Sequence, residues 1–539
     1  MNRARRTAMV GALILSIILT PGLLSLTRAE PENAAPNSTD LPSTGAPAGT
    51  AKVRLLGVND FHGHLEVAAS LAAYLDRYER RNPEGTIRIH AGDMVGGSPL
   101  VSGHFHDEPA IHAMNEMSFD VGTLGNHEFD EGGEKMLRLV NGGQKSGARN
   151  TSGPDFPGAD FPYIAANALR ESTGEPVLPP YRIVERDGAR VGFIGVTTLE
   201  TPEILAGTVE PFRFLDVSDT VNRYAAELRR KGVETIVVLA HEGGYQTGPM
   251  KAAGPIAAEA AQMSGAVDVV VAGHTHAFLK ARAGGKLVVE AGEYGTAFSV
   301  VDLRVDRATG HVKTSSARIV TNDGDFGADP RIAAMVEKYE ERVAPISDRV
   351  SGRAAGDVTR STTPAGESAL GDLVTDAYRS SAGTDFAFVV SGGLRADVAA
   401  GPVTYGDLYA ARPFDKSLVE MELTGAEVHR VLEQQFDGEP RILQVSGLRI
   451  AYDPSRPEGR RMTSLTLPGG ASLDRKAIYT AAIAGPLAEG GSGFTGFREG
   501  QNVRPAGKDL DALVKHIKSM PQPFEAPDPE EQRRMKLAN

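Results

Sequence analysis

Five short apolar runs in this chain are each followed at once by side chains able to ligate a metal, and no other feature constrains the fold as much. Val53–Val58 runs into Asn59, Asp60, Phe61 and His62. Ile87–Ala91 runs into Gly92 and Asp93. Val121–Leu124 leads to Gly125, Asn126, His127, Glu128, Phe129 and Asp130. Ile236–Ala240 ends at His241, and Val269–Ala272 at Gly273, His274, Thr275 and His276. Short β-branched runs of this kind read as buried strands. Helical spacing appears between them, as in Ala68 to Arg81. Alternation of the two predicts an α/β architecture, where sites collect at the carboxyl ends of strands. Ligands distant in sequence are therefore expected to meet.

The residue types fit two cations held side by side. Carboxylate and imidazole suit Zn, Mn, Co or a similar divalent ion, and the chain contains no cysteine to supply sulfur. Asp93 is the carboxylate placed to bridge both ions. Two ions about 3.5–4 Å apart polarise a phosphoryl oxygen and activate water for in-line attack. Singly, each motif says little: Asp-x-His recurs by chance, Gly-Asp is an ordinary turn, and a lone histidine after a strand is more often packed than ligating. Their joint occurrence at five strand ends carries the inference. Among the other histidines, His64, His90, His112, His311, His429 and His516 are expected to pack or face solvent. His104 and His106, in a glycine-containing loop, are the most ligand-like of the remainder.

Composition narrows the class. The net charge of −12 argues against binding a nucleic-acid polymer, which needs a basic surface. A small phosphorylated substrate is compatible with it, because bound metal dominates the local field. Absence of cysteine rules out disulfides and a thiol nucleophile. Arg3, Arg5 and Arg6 precede a largely apolar run, Ala8 to Leu26, and then Thr27-Arg28-Ala29; this predicts a signal peptide over 1–29. Export would place the mature protein outside the cytoplasm, whether secreted, periplasmic or associated with the cell wall, with no membrane span after cleavage. A linker rich in Pro, Ala, Ser, Thr and Asn follows over 30–51. The catalytic domain is expected over 52–325, a charged bridging helix over 326–349, a second α/β domain over 350–521 and a polar tail over 522–539. No obligate protein partner is indicated.

Asp60-x-His62, Gly92-Asp93, Gly125-Asn126-His127-Glu128, His241 and Gly273-His274-x-His276 together resemble the calcineurin-like metallophosphoesterases, and more narrowly the bacterial 5′-nucleotidase and UDP-sugar hydrolase family. The resemblance extends over roughly residues 52–520. In the second half, Glu367 to Ala377, Ser391-Gly-Gly-Leu-Arg395, Arg412-Pro-Phe-Asp-Lys416 and Gly490-Gly-Ser-Gly-Phe494 are similar to that family's substrate-binding domain. It implies a four-layer αββα sandwich, a bridging helix and a smaller α/β substrate-binding domain that closes over the first. It also implies one metal on Asp60, His62, Asp93 and His276, and a second on Asp93, Asn126, His241 and His274. His127 would stabilise charge on the phosphoryl group and Asp130 would orient it. Arg395 would bind phosphate and Phe414 would stack on the base, with Lys416 a further substrate contact. The match is incomplete: Val390 stands for an expected Asn, Lys416 for an Asn, Pro486 for the second stacking aromatic and Ser492 for a ribose-binding Asp, while Pro364-Ala365-Gly366 stands where an Arg is usual.

Two divalent metals and a small-molecule substrate, a nucleotide or another phosphate ester, are thus expected. The favoured activity is hydrolysis of nucleotide phosphate esters of the 5′-nucleotidase and UDP-sugar hydrolase type. Action on 2′,3′-cyclic nucleotides or non-nucleotide phosphate esters is the alternative. A non-catalytic exported metal-binding protein would have been expected to lose a ligand or His127, and none is lost.

Overall fold

The structure, a computed structural model, describes residues 49–143, 156–205, 208–209, 211–437 and 440–538. The expected signal peptide and most of the linker lie outside these residues. Thr50 and Ala51, the linker's last two positions, already belong to the first strand, Thr50–Val58.

Two six-stranded sheets form the first half of the chain. In one, Thr50–Val58, Thr86–His90, Val121–Thr123 and Tyr163–Ile164 run parallel, with Ala297–Asp306 antiparallel to Thr50–Val58 and Val312–Thr321 antiparallel to Ala297–Asp306 at one side. In the other, Ala189–Thr197, Thr235–His241, Val269–Ala272 and Lys286–Ala291 are parallel. The sheets face each other across a core that includes Val53, Leu55, Ile89, Phe193, Leu239, Val271 and Val289. Helices Ala68–Glu79, Glu108–Glu116 and Gly133–Asn141 cover the outer face of the first sheet through Leu71, Leu75, Ile111, Met114 and Leu139. Val217–Arg230 and Pro255–Gln262 cover the second through Val221, Leu228 and Ile256. This is the four-layer arrangement the resemblance implied. Strands buried on both faces explain the nearly continuous apolar runs.

Register sets the site. Val58 pairs with His90 and His90 with Gly122, so the carboxyl ends of three strands are nearly level. Ala240 pairs with Ala272 in the facing sheet. His241 is itself the last strand residue rather than the first beyond it.

Pro330–Ser347 forms an 18-residue helix, started by Asp329, whose carboxylate accepts from the Arg331 and Ile332 backbone N–H groups at 2.8 and 3.2 Å. Its buried face is divided. Ile332 and Val336 join the core of the first half, while Tyr339 and Val343 join that of the second. The second half is built on a five-stranded sheet, Leu443–Ser446, Phe386–Val390, Ile478–Ala484, Ser417–Thr424 and Gln501–Lys508. Helices Ala369–Ala382 and Asp509–Ser519 pack on one face and Gly425–Glu433 on the other. No described helix is long and apolar enough to cross a membrane.

The polar tail docks onto this domain. Met535–Leu537 adds a parallel strand to Arg449–Tyr452. Glu367 accepts from the backbone N–H groups of Arg534 and Met535 at 3.1 and 2.9 Å. The Arg534 guanidinium reaches Asp376 at 2.8 Å and Asp372 at 3.4 Å. The guanidinium thus pairs with two carboxylates, while Glu367 holds the backbone beside it. Burial pushes the Asp372 carboxyl up to about 8 despite the pull of Arg534, with Glu367 and Asp376 adding repulsion. A carboxyl that ionises later in the folded than in the unfolded chain makes folding less favourable as pH rises. Its contribution is therefore complete below the unfolded value of about 3.9 and declines until about pH 8. Replacing Asp372 by Asn is expected to flatten that decline, read as a smaller drop in thermal midpoint between about pH 5 and about pH 8 than in the unaltered protein.

Candidate metal centre and active site

The strand ends bring all seven candidate ligands to one place. Three overlapping groups have ligand atoms within 4.8 Å of one another: Asp60, His62 and His276; His62, Asp93 and His127; Asp93, His241 and His274. Asp93 Oδ2 lies 3.1 Å from His241 Nε2 and 3.7 Å from His62 Nε2, between the two sides of the cluster. His276 Nε2 lies 3.5 Å from Asp60 Oδ1 and 3.2 Å from His62 Nε2. Asn126 Oδ1 is 3.1 Å from His241 Nε2. Asp60, His62, Asp93, Asn126 and His241 are buried, while His274 and His276 are partly open to a cavity.

Carboxylates, imidazoles and one amide oxygen, with no thiol, form a donor set suited to hard or borderline divalent cations. The backbone is shaped to aim them. Asp60, His62, Asp93, His274 and His276 all take positive φ, at 51°, 47°, 52°, 80° and 56°. Side-chain-bearing residues rarely hold this conformation, which costs about 1–3 kcal/mol each and gathers at functional sites. Gly92, at φ 89°, makes the turn before Asp93. A Cβ on Gly125 would meet Asp93 Oδ1 at 2.1 Å, so glycine is required there for space.

The ring nitrogens turned away from the cluster are occupied. His62 Nδ1 is 2.7 Å from Gly96 O and His241 Nδ1 is 2.9 Å from Ala91 O. His276 Nδ1 pairs with Glu293. Such partners fix the tautomer and orientation of a ligating histidine. The Asp93 turn is tied down by Glu128, whose buried carboxylate accepts from the Asp93, Met94 and Gly125 backbone N–H groups at 3.1, 2.9 and 2.6 Å. Burial and the nearby Asp93 charge push Glu128 up to about 7. Asn59 donates to Asp60 at 2.7 Å and bonds the facing Gly292 and Ala291 backbone. Buried Glu290 accepts from Thr275 Oγ1 and Ala277 N, both at 3.0 Å, holding the His274–His276 turn.

His127 stands beside the cluster, its Nδ1 2.9 Å from Asp130 Oδ2. Burial lowers the His127 pKa, but Asp130 and Asp93 outweigh it and hold it above the usual value. Burial raises Asp130, yet His127 and Lys416 pull it below the ordinary range. The opposite wall comes from the C-terminal domain. Arg395 Nη2 lies 3.4 Å from His127 Nε2, and Lys416 Nζ donates to Asp130 O at 3.0 Å. The Phe414 ring lies close to parallel with His127, at 6.1 Å and 20°, with the Arg395 and Arg412 guanidinium carbons 5.7 and 5.3 Å from its centroid. Phe414 thus sits at the metal end of the cavity.

That cavity, about 1200 Å³, extends from Asp93 and His127 past Val390, Pro486 and Ser492 to Phe436 and Tyr452. Sites for small ligands are commonly about 300–1,000 Å³, so this one has room beyond a single small ester.

Residues 53–278 match the calcineurin-like phosphoesterase family and residues 349–499 the 5′-nucleotidase C-terminal domain. A cell wall protein, Lmo0130 of Listeria monocytogenes, is 34% identical over 88% of this chain and 68% of its own length. The chain belongs to the 5′-nucleotidase family. Endonuclease YhcR of Bacillus subtilis is also 34% identical, over 89% of this chain, although the chain spans only 40% of that relative's length. The crystal structure of a 5′-nucleotidase precursor from Thermus thermophilus superposes with a TM-score of 0.76 at 28% identity, covering 91% of this chain and all of that one.

Among the remaining histidines, His90 is buried against Phe119, Phe161 and Tyr163, and burial drops it to about 3, so it packs as a neutral ring. His106 pairs with Glu131 at 3.0 Å, and His104 packs edge-on to Phe105; neither joins the cluster. Sequence reasoning passed over Glu200, Glu290 and Glu293, and gave Glu128 no role. An acidic residue near a ligand motif was the only available signal. Glu128→Gln turns one accepting oxygen into a donor facing backbone N–H groups. Each stranded donor costs about 1–3 kcal/mol. The expected result is a lower thermal midpoint together with reduced metal content after dialysis against a divalent ion, measured by elemental analysis.

Proposed function

We propose that this protein is an exported phosphohydrolase with a dinuclear metal centre, acting on nucleotide phosphate esters. The observation carrying this reading is the convergence of Asp60, His62, Asp93, Asn126, His241, His274 and His276, with Asp93 between the two halves and His127 alongside. Asp60, His62, Asp93 and His276 would hold one ion, and Asp93, Asn126, His241 and His274 the other. Two divalent cations there supply Lewis-acid stabilisation of phosphoryl charge and a nucleophile at neutral pH.

The chain's own groups do the rest. His127 faces the reacting phosphoryl group through Nε2, because Asp130 occupies Nδ1. Its positive character, supported by Asp130, offsets charge developing on the phosphoryl oxygens. Arg395 approaches from the other domain and can fork onto phosphate oxygens. The two-domain cavity surrounds the leaving group and limits access of bulk water. Phe414 forms part of the wall beside the phosphate.

Two relatives support the wider setting. The similar Listeria protein is named a cell wall protein, in keeping with a location outside the cytoplasm. The similar Bacillus protein is named an endonuclease. That name, with Pro486 and Ser492 in the cavity wall, favours a second reading: phosphodiester substrates such as 2′,3′-cyclic nucleotides.

Purified protein supplied with Mn or Zn should hydrolyse 5′-AMP, UDP-glucose, 2′,3′-cyclic AMP or an aryl phosphate, and the ranking selects between the readings. His127→Ala is expected to lower kcat by about 10²–10³ while divalent ions stay bound. Asp93→Asn should lose both activity and metal. Retention of the unaltered rate by Asp93→Asn rules out the dinuclear mechanism.

A further inference from the structure

The two halves of the donor cluster are supported unequally. A single turn, Gly292-Glu293-Tyr294, serves the half made of Asp60, His62 and His276. It follows the strand Lys286–Ala291. Asn59 fastens it, donating to Gly292 O at 2.7 Å and accepting from Ala291 N at 3.0 Å. Tyr294 N donates to Asp60 O at 2.6 Å. The Tyr294 ring stands edge-on to His62 and His276, with centroids 5.8 and 5.5 Å away, and stacks on His64 at 4.0 Å. Glu293 then pairs with His276 Nδ1. One turn thus touches all three donors of this half.

His276 differs from its neighbours in what stands behind the ring. His62 and His241 are backed by neutral carbonyls, those of Gly96 and Ala91. His276 is backed by a carboxylate. A negative charge one ring away makes an imidazole a stronger donor and adds its own attraction for a cation. The Asn126 half is poorer in charge. Its amide is neutral, and its carboxylate, Asp93, stands between both halves. Glu200 is 3.8 Å from His274 Nε2, beyond hydrogen-bond distance, and pairs instead with Arg441 of the other domain at 3.1 Å.

We propose that Glu293 is the positioning residue that makes the metal centre unequal: acting through His276, it secures a firmly held ion on the Asp60 half, while the ion on the Asn126 half exchanges. This rests on the dinuclear reading of the same site. The protein would then keep one ion when divalent cations are scarce. Activity would follow the free concentration of the second ion, which makes ambient metal a regulator of an enzyme working outside the cytoplasm.

The test titrates the chelator-stripped full chain with Mn²⁺, following heat of binding and the electron paramagnetic resonance of free Mn²⁺. The unaltered protein should bind two ions in two resolved steps, the first tighter by about 10-fold or more. Glu293→Gln keeps an oxygen that can accept from Nδ1 and removes only the charge. It should weaken the tighter step by about 10-fold, the low end of the range for such partners, because water screens a partly exposed carboxylate. The weaker step should stay in place, which a loss of folding would not allow. Asn126→Ala should weaken the weaker step alone. Two equal steps in the unaltered protein, an unchanged tighter step in Glu293→Gln, or weakening of both steps together overturns the proposal. Weakening of the tighter step by Asn126→Ala puts the firmly held ion on the other half and also overturns it. Binding of fewer than two ions by the unaltered chain is the failure of the dinuclear reading itself.

Discussion

The Asp93 carboxylate is the point on which the rest of the site depends. It is buried, and it stands between His62 on one sheet and His241 on the other. A carboxylate placed there without opposite charge would be costly. The two sheets must therefore deliver imidazoles, and the capacity to hold cations, to the same few ångströms. Much of the surrounding architecture serves that requirement. Level strand ends bring the donors together, left-handed backbone at five donor residues aims them, and Glu128 ties the Asp93 turn to the Asn126 turn.

The sequence made the donors legible and left their supports hidden, for a physical reason. Donors sit where a buried strand stops, so the change from apolar to polar side chains marks them in a linear reading. Asp60, Asp93, Asn126 and His274 are all visible in this way. Glu200, Glu290 and Glu293 act on residues brought near by folding, and nothing local distinguishes them from surface acids. Glu128 lay inside a motif, but its role depends on backbone N–H groups as far as 35 residues away. The layered fold followed from strand periodicity and family resemblance together. Helix and strand limits agreed to within a few residues, as with Ala68–Glu79 for the segment expected to Arg81. The docking of the tail strand was not legible, because a three-residue pairing leaves almost no pattern.

The two domains are not simply tethered. The helix Pro330–Ser347 lends apolar side chains to both cores, and Leu100 and Phe105 from the first half pack with Tyr339 in the second. Polar contacts then meet at the cavity, where Arg395, Lys416 and Arg441 each touch the catalytic half. The cavity is therefore enclosed by side chains whose spacing depends on the relative placement of the domains. Any shift between them would alter the contacts of Arg395, Lys416 and Arg441 together, whereas Asp60, His62, Asp93, Asn126, His241, His274 and His276, all from the first half, would keep their mutual distances.

The docked tail has a practical side. Arg534 is anchored by acids of the second domain, and Leu537, three residues on, lines the substrate cavity. The tail strand Met535–Leu537 therefore reaches the rim of that cavity. An affinity tag, fluorescent fusion or surface-display anchor joined there would share the doorway used by substrate, and a long spacer at that junction becomes a design requirement.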